Sequence, residues 1–248
     1  QVFVPAVREN TNGVSWSEDD MGEGKSIPLS EFYIATPDDL AATINEQIAA
    51  GKNIYFTPGT YYAQEPILVN EDNTILLGTG MASIIPANEE AAMIIDDDVT
   101  GVKVAGLIFD AGEHSKYLLK VGTEKNSNNN EDNPIVLQDL FFRVGGTTDT
   151  LTKADNALEI NANNVLCDHF WIWRADHGAG VEWYGNESDH GLIVNGDNVT
   201  CYALSNEHFQ KYNTLWNGEN GATYFYQNET AYDPISQEEW MSHNGTVN

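Results

Sequence analysis

The sequence predicts an all-β fold, a right-handed single-stranded parallel β-helix with an N-terminal capping α-helix, and three observations predict it. A phrase recurs: Leu158-Glu-Ile-Asn-Ala-Asn-Asn-Val-Leu-Cys167 aligns without a gap on Leu192-Ile-Val-Asn-Gly-Asp-Asn-Val-Thr-Cys201, 34 residues later. Its core (apolar, Asn, any, Asp or Asn, Asn, Val) also occurs as Val69-Asn-Glu-Asp-Asn-Thr74, as Trp216-Asn-Gly-Glu-Asn-Gly221 and, loosely, as Ile95-Asp-Asp-Asp-Val-Thr-Gly-Val102. Each copy joins two apolar runs through residues that tolerate left-handed backbone angles, which reads as strand, tight turn, strand. No helical period separates the copies, so the repeat points to stacked coils of roughly 22 to 34 residues with loops thrown out at the corners. A β-sandwich with Asn-rich hairpins is the competing reading. The equal spacing of Asn161 with Asn195, and of Cys167 with Cys201, favours like residues stacked one coil apart.

In chain order, residues 1–30 read as an extended N-terminal arm and residues 31–248 as the β-helix domain. The apolar start Val2-Phe-Val-Pro-Ala-Val7 is expected to pair as a strand, on this chain or on another. Thr36-Pro37-Asp38-Asp39 has the pattern of a helix start, with Thr36 as N-cap and Pro37 in the first turn. Leu40, Ile44 and Ile48 then share a face, and Gly51 ends the helix. Such a helix would cover the first coil, whose apolar interior otherwise meets water. Short strands follow at Ile67–Val69, Thr74–Leu77, Ala82–Ile85, Met93–Ile95, Val102–Phe109, Tyr117–Val121 and Pro134–Val144. The Asn-rich acidic stretch Thr123–Asn133 between the last two is the segment expected to be disordered.

With 38 acidic against 11 basic residues the formal charge is −27, which repels phosphate backbones and anionic headgroups. Nucleic acid and membrane-surface partners are therefore not expected, and no apolar run reaches the length of a membrane span. Such a charge fits an extracellular protein kept soluble by it, a saline habitat or cation binding alike, while the start at Gln1 and four Asn-X-Ser/Thr sequons (Asn186, Asn198, Asn228, Asn244) support a secreted, glycosylated, extracellular protein. Cys167 and Cys201 form either a disulfide between coils or a stack of buried thiols.

Lys52-Asn-Ile-Tyr-Phe-Thr-Pro-Gly-Thr-Tyr61, a short apolar strand and Pro-Gly-Thr-Tyr directly after a helix stop, resembles the opening of β-helix domains in the pectate-lyase-like superfamily. That superfamily includes the glycoside hydrolase family 55 β-1,3-glucanases. The runs His169-Phe-Trp-Ile-Trp-Arg-Ala-Asp-His-Gly178, Gly191–Thr200, Glu207–Tyr212 and Tyr224–Glu229 are similar to secreted microbial β-helix proteins often named coagulation factor 5/8-type or adenylyl cyclase. The resemblance extends over residues 26 to 241. It implies a polysaccharide, a β-glucan, as substrate, and a chain that lacks the later coils of longer members.

Polar and aromatic residues concentrate between His169 and Asp233. Flat rings beside carboxylates suit a sugar groove, because pyranose C–H faces stack on rings while acids accept hydroxyl protons. Glycoside hydrolysis needs two carboxyls at a set separation. The expected catalytic residues are Glu207 foremost, then Asp176, Glu182 and Glu229. His177, His208, Trp183, Tyr184, Trp216, Tyr224 and Tyr226 are expected to bind substrate. No cofactor is expected. Calcium is the one metal the acids Asp96, Asp97, Asp98, Asp189 and Asp197 could hold, with a solvated acidic turn as the simpler reading. The alternative function is a non-catalytic structural or adhesive protein that self-assembles through its arm and its open coil end into an oligomer or filament.

Overall fold

The computed structural model describes residues 1–8, 17, 19–125 and 130–244, the last four by backbone alone. The centre of the loop expected to be disordered, residues 126–129, lies outside that range, as does the side chain of Asn244.

The arm pairs within its own chain: β1 (Val2–Pro5) runs antiparallel to β2 (Gly24–Ile27), with Val2 opposite Ile27 and Pro5 opposite Gly24. After β3 (Phe32–Ala35) the expected helix is present but starts late, as α1 (Ala41–Ala49). The Asp39 carboxylate accepts the Thr36 amide at 2.7 Å, and the Asp39 amide reaches back to the Thr36 carbonyl at 2.9 Å. These two bonds close Thr36–Asp39 into a turn, so Thr36 caps no helix. Leu40 falls outside the helix and is 56% exposed, whereas Ala41, Ile44 and Ile48 are buried in the core.

The first coil holds β4 (Asn53–Phe56), β5 (Gly59–Ala63) and β6 (Ile67–Val69). In the Pro-Gly-Thr-Tyr run, Tyr61 turns inward and its hydroxyl donates to the carbonyls of Ala35 (2.8 Å) and Thr57 (2.9 Å), tying this coil to β3. From there the chain alternates between two sheets. β7 (Ile75–Pro86), β9 (Lys103–Asp110), β11 (Ile135–Val144), β13 (Val165–Arg174), β15 (Thr200–Glu207) and β17 (Ala222–Glu229) lie side by side in one. β8 (Ala91–Ile95), β10 (Ser115–Val121), β12 (Ala154–Ile160), β14 (His190–Val194) and β16 (Tyr212–Trp216) join β6 in the other. The coil pairings are parallel, which a sandwich of hairpins could not produce.

The Asn phrase forms one corner of each coil. Asn73, Asn164, Asn198 and Asn220, the second Asn of each copy, have φ between 54° and 58°, and Gly101 takes the place in the loose copy with φ 67°. A Cβ on Gly101 would lie 2.4 Å from the Asn73 and Asn133 side chains, so glycine is required there. The first Asn of the phrase builds a ladder. Asn195 donates to Asn161 at 2.7 Å and accepts from Asn217 at 2.8 Å, while Asn161 donates to the Gly122 carbonyl at 2.9 Å. Replacing Asn195 by Ala removes both partners at once, and a loss of about 1 to 3 kcal/mol in urea unfolding is expected. An unchanged unfolding midpoint would show that water replaces the ladder without cost.

A second column of left-handed residues bends the larger sheet. Asp139, His169, Ala203 and Phe225 (φ 50° to 64°) interrupt the pairing at the same rung of β11, β13, β15 and β17, folding each strand into two legs. Inward-facing rungs fill the coil: Leu140, Phe170 and Leu204 form one row, and Phe109 stacks on Phe142 with centroids 5.1 Å apart. Cys167 and Cys201 are a rung of the same interior, buried and unbonded, which decides for stacked thiols. Burial and the neighbouring thiol push the Cys167 pKa well above its ordinary value, so it is not a reactive group.

Candidate active site

The site grows from the outer end of the larger sheet, where the strands leave for the second corner. Arg143, Trp173, Glu207 and Glu229 are register partners on β11, β13, β15 and β17. A sheet of this kind places neighbouring backbones ~4.8 Å apart, so Glu207 and Glu229 emerge side by side. Trp171 and Trp173 stack with ring centroids 5.2 Å apart, and the Trp171 indole donates to Glu207 at 3.0 Å. Glu229 accepts from the Tyr232 hydroxyl at 2.9 Å and from Gln227 at 3.0 Å. That bond to the Glu229 carboxylate raises the Tyr232 pKa above the usual phenol value.

His208 sits at the centre. It follows β15 with φ 69°, a left-handed turn that swings its ring under the corner, where the side chain is 5% exposed. Its Nδ1 accepts from the Trp173 indole at 3.1 Å and lies 3.4 Å from the Asp176 carboxylate. An indole N–H only donates, so while that bond stands Nδ1 is bare and the ring proton is on Nε2. Nε2 points toward Glu229 at 3.6 Å, beyond hydrogen-bond length, and has no hydrogen-bond partner among the described residues. Nδ1 thus stands between a group that can only donate and one that can only accept.

Burial raises the Asp176 carboxyl, but the hydrogen bond from His177 at 2.7 Å leads the interactions that outweigh it. Its pKa lies below the ordinary carboxylate value. Asp176 and Glu229 therefore flank one imidazole, Asp176 3.4 Å from its Nδ1 and Glu229 3.6 Å from its Nε2. Acids, rings and an imidazole in this geometry can transfer protons to and from a sugar bound across the exposed Trp171 and Tyr232 rings.

The model of the LAM55 pectate lyase-like domain matches residues 32–229. The chain belongs to the LAM55 pectate lyase-like family. An exo-β-1,3-glucanase from Streptomyces sp. strain SirexAA-E is 47% identical over 238 residues, which is 96% of this chain and 39% of that protein. The solved structure of sacteLam55A from Streptomyces sp. SirexAA-E superposes with a TM-score of 0.91 at 47% identity, over 96% of this chain and 43% of that one. A sacteLam55A variant in complex with glucose gives 0.91 at 46% identity, over 96% and 42%. The resemblance read from the sequence is thereby established, and the chain spans about two fifths of the length of these relatives.

Within this LAM55 domain the expected residues divide. Glu207, Glu229, Asp176, His177 and His208 come together as described. Glu182 does not join them: its side chain is exposed on the loop before Gly185, and its backbone is what bonds, the amide donating to the Asn186 side chain at 3.0 Å and the carbonyl accepting from Arg174 at 3.5 Å. Trp183 is no sugar platform, being 4% exposed beneath the Arg174 guanidinium and edge-on to Trp240. Tyr184 donates to Glu239 beside α2 (Gln237–Asn244), away from the acids. Trp216 belongs to the interior rung of β16, opposite Val194 at the Asn corner. Tyr226 is the register partner of Leu204 on the last strand, 42% exposed there with its hydroxyl on Thr214, and Tyr224 stacks on Tyr202 two residues before it.

The Asn186 sequon is also excluded. That side chain is fully buried and donates to the carbonyls of Val144 (3.0 Å) and Ala175 (2.8 Å), leaving no room for a glycan. Asn198 and Asn228 are exposed. Three of the acids considered for calcium are engaged by protein groups. Asp97 accepts from the Thr123 amide (2.6 Å) and hydroxyl, Asp189 pairs with Lys211 at 3.0 Å, and Asp197 caps the Glu219 amide at 2.8 Å. Among the described residues no three acids, histidines or cysteines converge as a metal site.

Two residues that the sequence reading passed over hold the site together. Arg174, fully buried, makes a bidentate pair with Asp233 at 3.0 and 2.8 Å and donates to the carbonyls of Asn186 (2.9 Å) and His208 (3.4 Å). One signal was available: Arg174 is the sole Lys or Arg between Lys153 and Lys211, in a stretch rich in acids.

Proposed function

We propose that this chain acts on β-1,3-glucan as a glycoside hydrolase, with Glu207 protonating the glycosidic oxygen and a second carboxyl, Glu229 or Asp176, completing the pair. The observation that carries this is the convergence of those three acids with His208 and the Trp171–Trp173 stack at one corner of a domain whose relatives are exo-β-1,3-glucanases. Glu229 is the strand neighbour of Glu207; a carboxyl pair ~5 to 5.5 Å apart retains anomeric configuration, and a wider one inverts it. The test is release of reducing ends from soluble β-1,3-glucan by the purified chain, with the product anomer followed by NMR. Retention assigns Glu229 as partner and inversion assigns Asp176; no release from the glucan would remove the hydrolase reading. An extracellular location is part of the same proposal, supported by the polymeric nature of a glucan substrate and compatible with the charge of −27. We also assign α1 the role of cap over the first coil, because Ile44 and Ile48 face the core at that end and the helix packs on β4 and β6.

A further inference from the structure

Two cavities open along the same corner, toward the smaller sheet. One, of about 460 Å³, lies against Tyr62 and Asn88; the other, of about 640 Å³, lies against Lys153, Asp155 and Ser188. Both are lined by Glu113 and His114, so they form one trough running along the coil axis, and each of the two cavities is as large as a ligand pocket. We propose that this trough is a binding site for an uncharged oligosaccharide, distinct from the Glu207, Asp176 and His208 cluster.

Three features of the trough argue for such a ligand. Donors and acceptors are held in adjacent pairs: His114 bonds Asp155 at 2.9 Å and Lys153 bonds Glu187 at 2.6 Å, with every one of these side chains between a third and about half exposed. Ion pairs this open add little to stability, so holding the coils together does not account for them. They do present an acceptor beside a donor, which matches the adjacent hydroxyls of a sugar, each able to accept and donate. Second, Ser188 lines the trough at 2% exposure, and its hydroxyl has no hydrogen-bond partner among the described residues. A buried hydroxyl left unsatisfied is costly, and a ligand group reaching it would relieve that cost. Third, Tyr62 is 56% exposed at one end, a flat ring on which a pyranose can stack.

Acids outnumber bases along the trough, because Glu89, Glu113 and Asp189 add to the two paired carboxylates. Uronans and other polyanions are therefore repelled, and a neutral glycan is selected. The choice of glucan as probe rests on the function proposed above; the site itself does not.

The test is calorimetric titration of the Glu207→Gln chain with a β-1,3-glucan hexaose, which measures binding where turnover is suppressed. Tyr62→Ala in that background is expected to weaken binding by roughly tenfold, the loss of one stacked ring. Glu187→Gln, which breaks the Lys153 pair without removing bulk, is expected to weaken it as well, and unaltered thermal unfolding shows that both variants fold. Equal affinity in all three chains overturns the site, as does tighter binding of polygalacturonate than of the hexaose. If the parent chain releases no reducing ends yet the hexaose binds in a Tyr62-dependent way, the hydrolase reading fails and the trough stands.

Discussion

Asp233→Ala is expected to lower stability by about 3 to 5 kcal/mol, the largest effect of any single surface-proximal substitution in this domain. The reason lies in what remains behind. Arg174 has a side-chain exposure of 0%, and its guanidinium loses both of its anionic bonds while staying sealed among Trp183, Asn186 and the His208 carbonyl. A buried cation without its partner costs far more than an ion pair at the surface contributes, and water cannot reach it without opening the corner. The loss should persist at high salt, since a pair this buried is screened little. Urea unfolding of the parent and the variant at low and high salt measures both points. A loss under ~1 kcal/mol would mean that the corner relaxes enough to hydrate Arg174. Replacing both residues, Arg174→Met with Asp233→Leu, should recover most of the loss, because the charge is then gone rather than stranded. The same bonds place the His208 carbonyl and the chain that carries Tyr232, so Asp233→Ala should also disturb the acid cluster.

The coil architecture was legible because its corner is written in local chemistry. Asn and Gly are the residues that adopt positive φ at low cost, and they recur wherever the chain turns, from Asn73 to Asn220. The contact of Asn161 with Asn195 followed from the gapless repeat, and Asn217, from the next copy of the phrase, extends it. The bend within the larger sheet carries no such mark. His169, Ala203 and Phe225 take left-handed angles that their side chains do not favour, held there by pairing on both legs of each strand, so no residue type announces the bend. At the helix start the local signal was genuine but was diverted, since the Asp39 carboxylate bonded Thr36 instead of serving the first turn.

The site was half legible for a related reason. Glu207 and His208 mark the end of a strand whose register neighbours are themselves aromatic and acidic, and a repeat reveals neighbours one coil away. The Arg174 to Asp233 contact joins residues 59 apart across two coils and a loop, which no spacing rule reaches. Trp183 reads from sequence as one more aromatic in a groove. Only the guanidinium seated 5.0 Å above its ring explains why it is buried instead.

Glu207→Gln is expected to lower kcat on β-1,3-glucan by about 10² to 10⁴, the range lost when a positioned general acid is removed. The amide keeps the shape and still accepts from the Trp171 indole, so the fold and the 3.0 Å contact have no cause to change. An effect on kcat with KM nearly constant therefore reports the missing proton, not a missing contact. Glu229→Gln is the necessary companion. It removes the charge that Tyr232 and Gln227 hold in place and that the His208 Nε2 faces at 3.6 Å. If Glu229 is the partner carboxyl, its loss matches that of Glu207→Gln, and the double variant falls little further, since the two act as a unit. If Asp176 is the partner, Glu229→Gln retains most of its turnover while Asp176→Asn does not. Full turnover in Glu207→Gln would remove it from the chemistry altogether, and the proton donor would then be sought between Asp176 and Glu229, the two carboxyls that share His208.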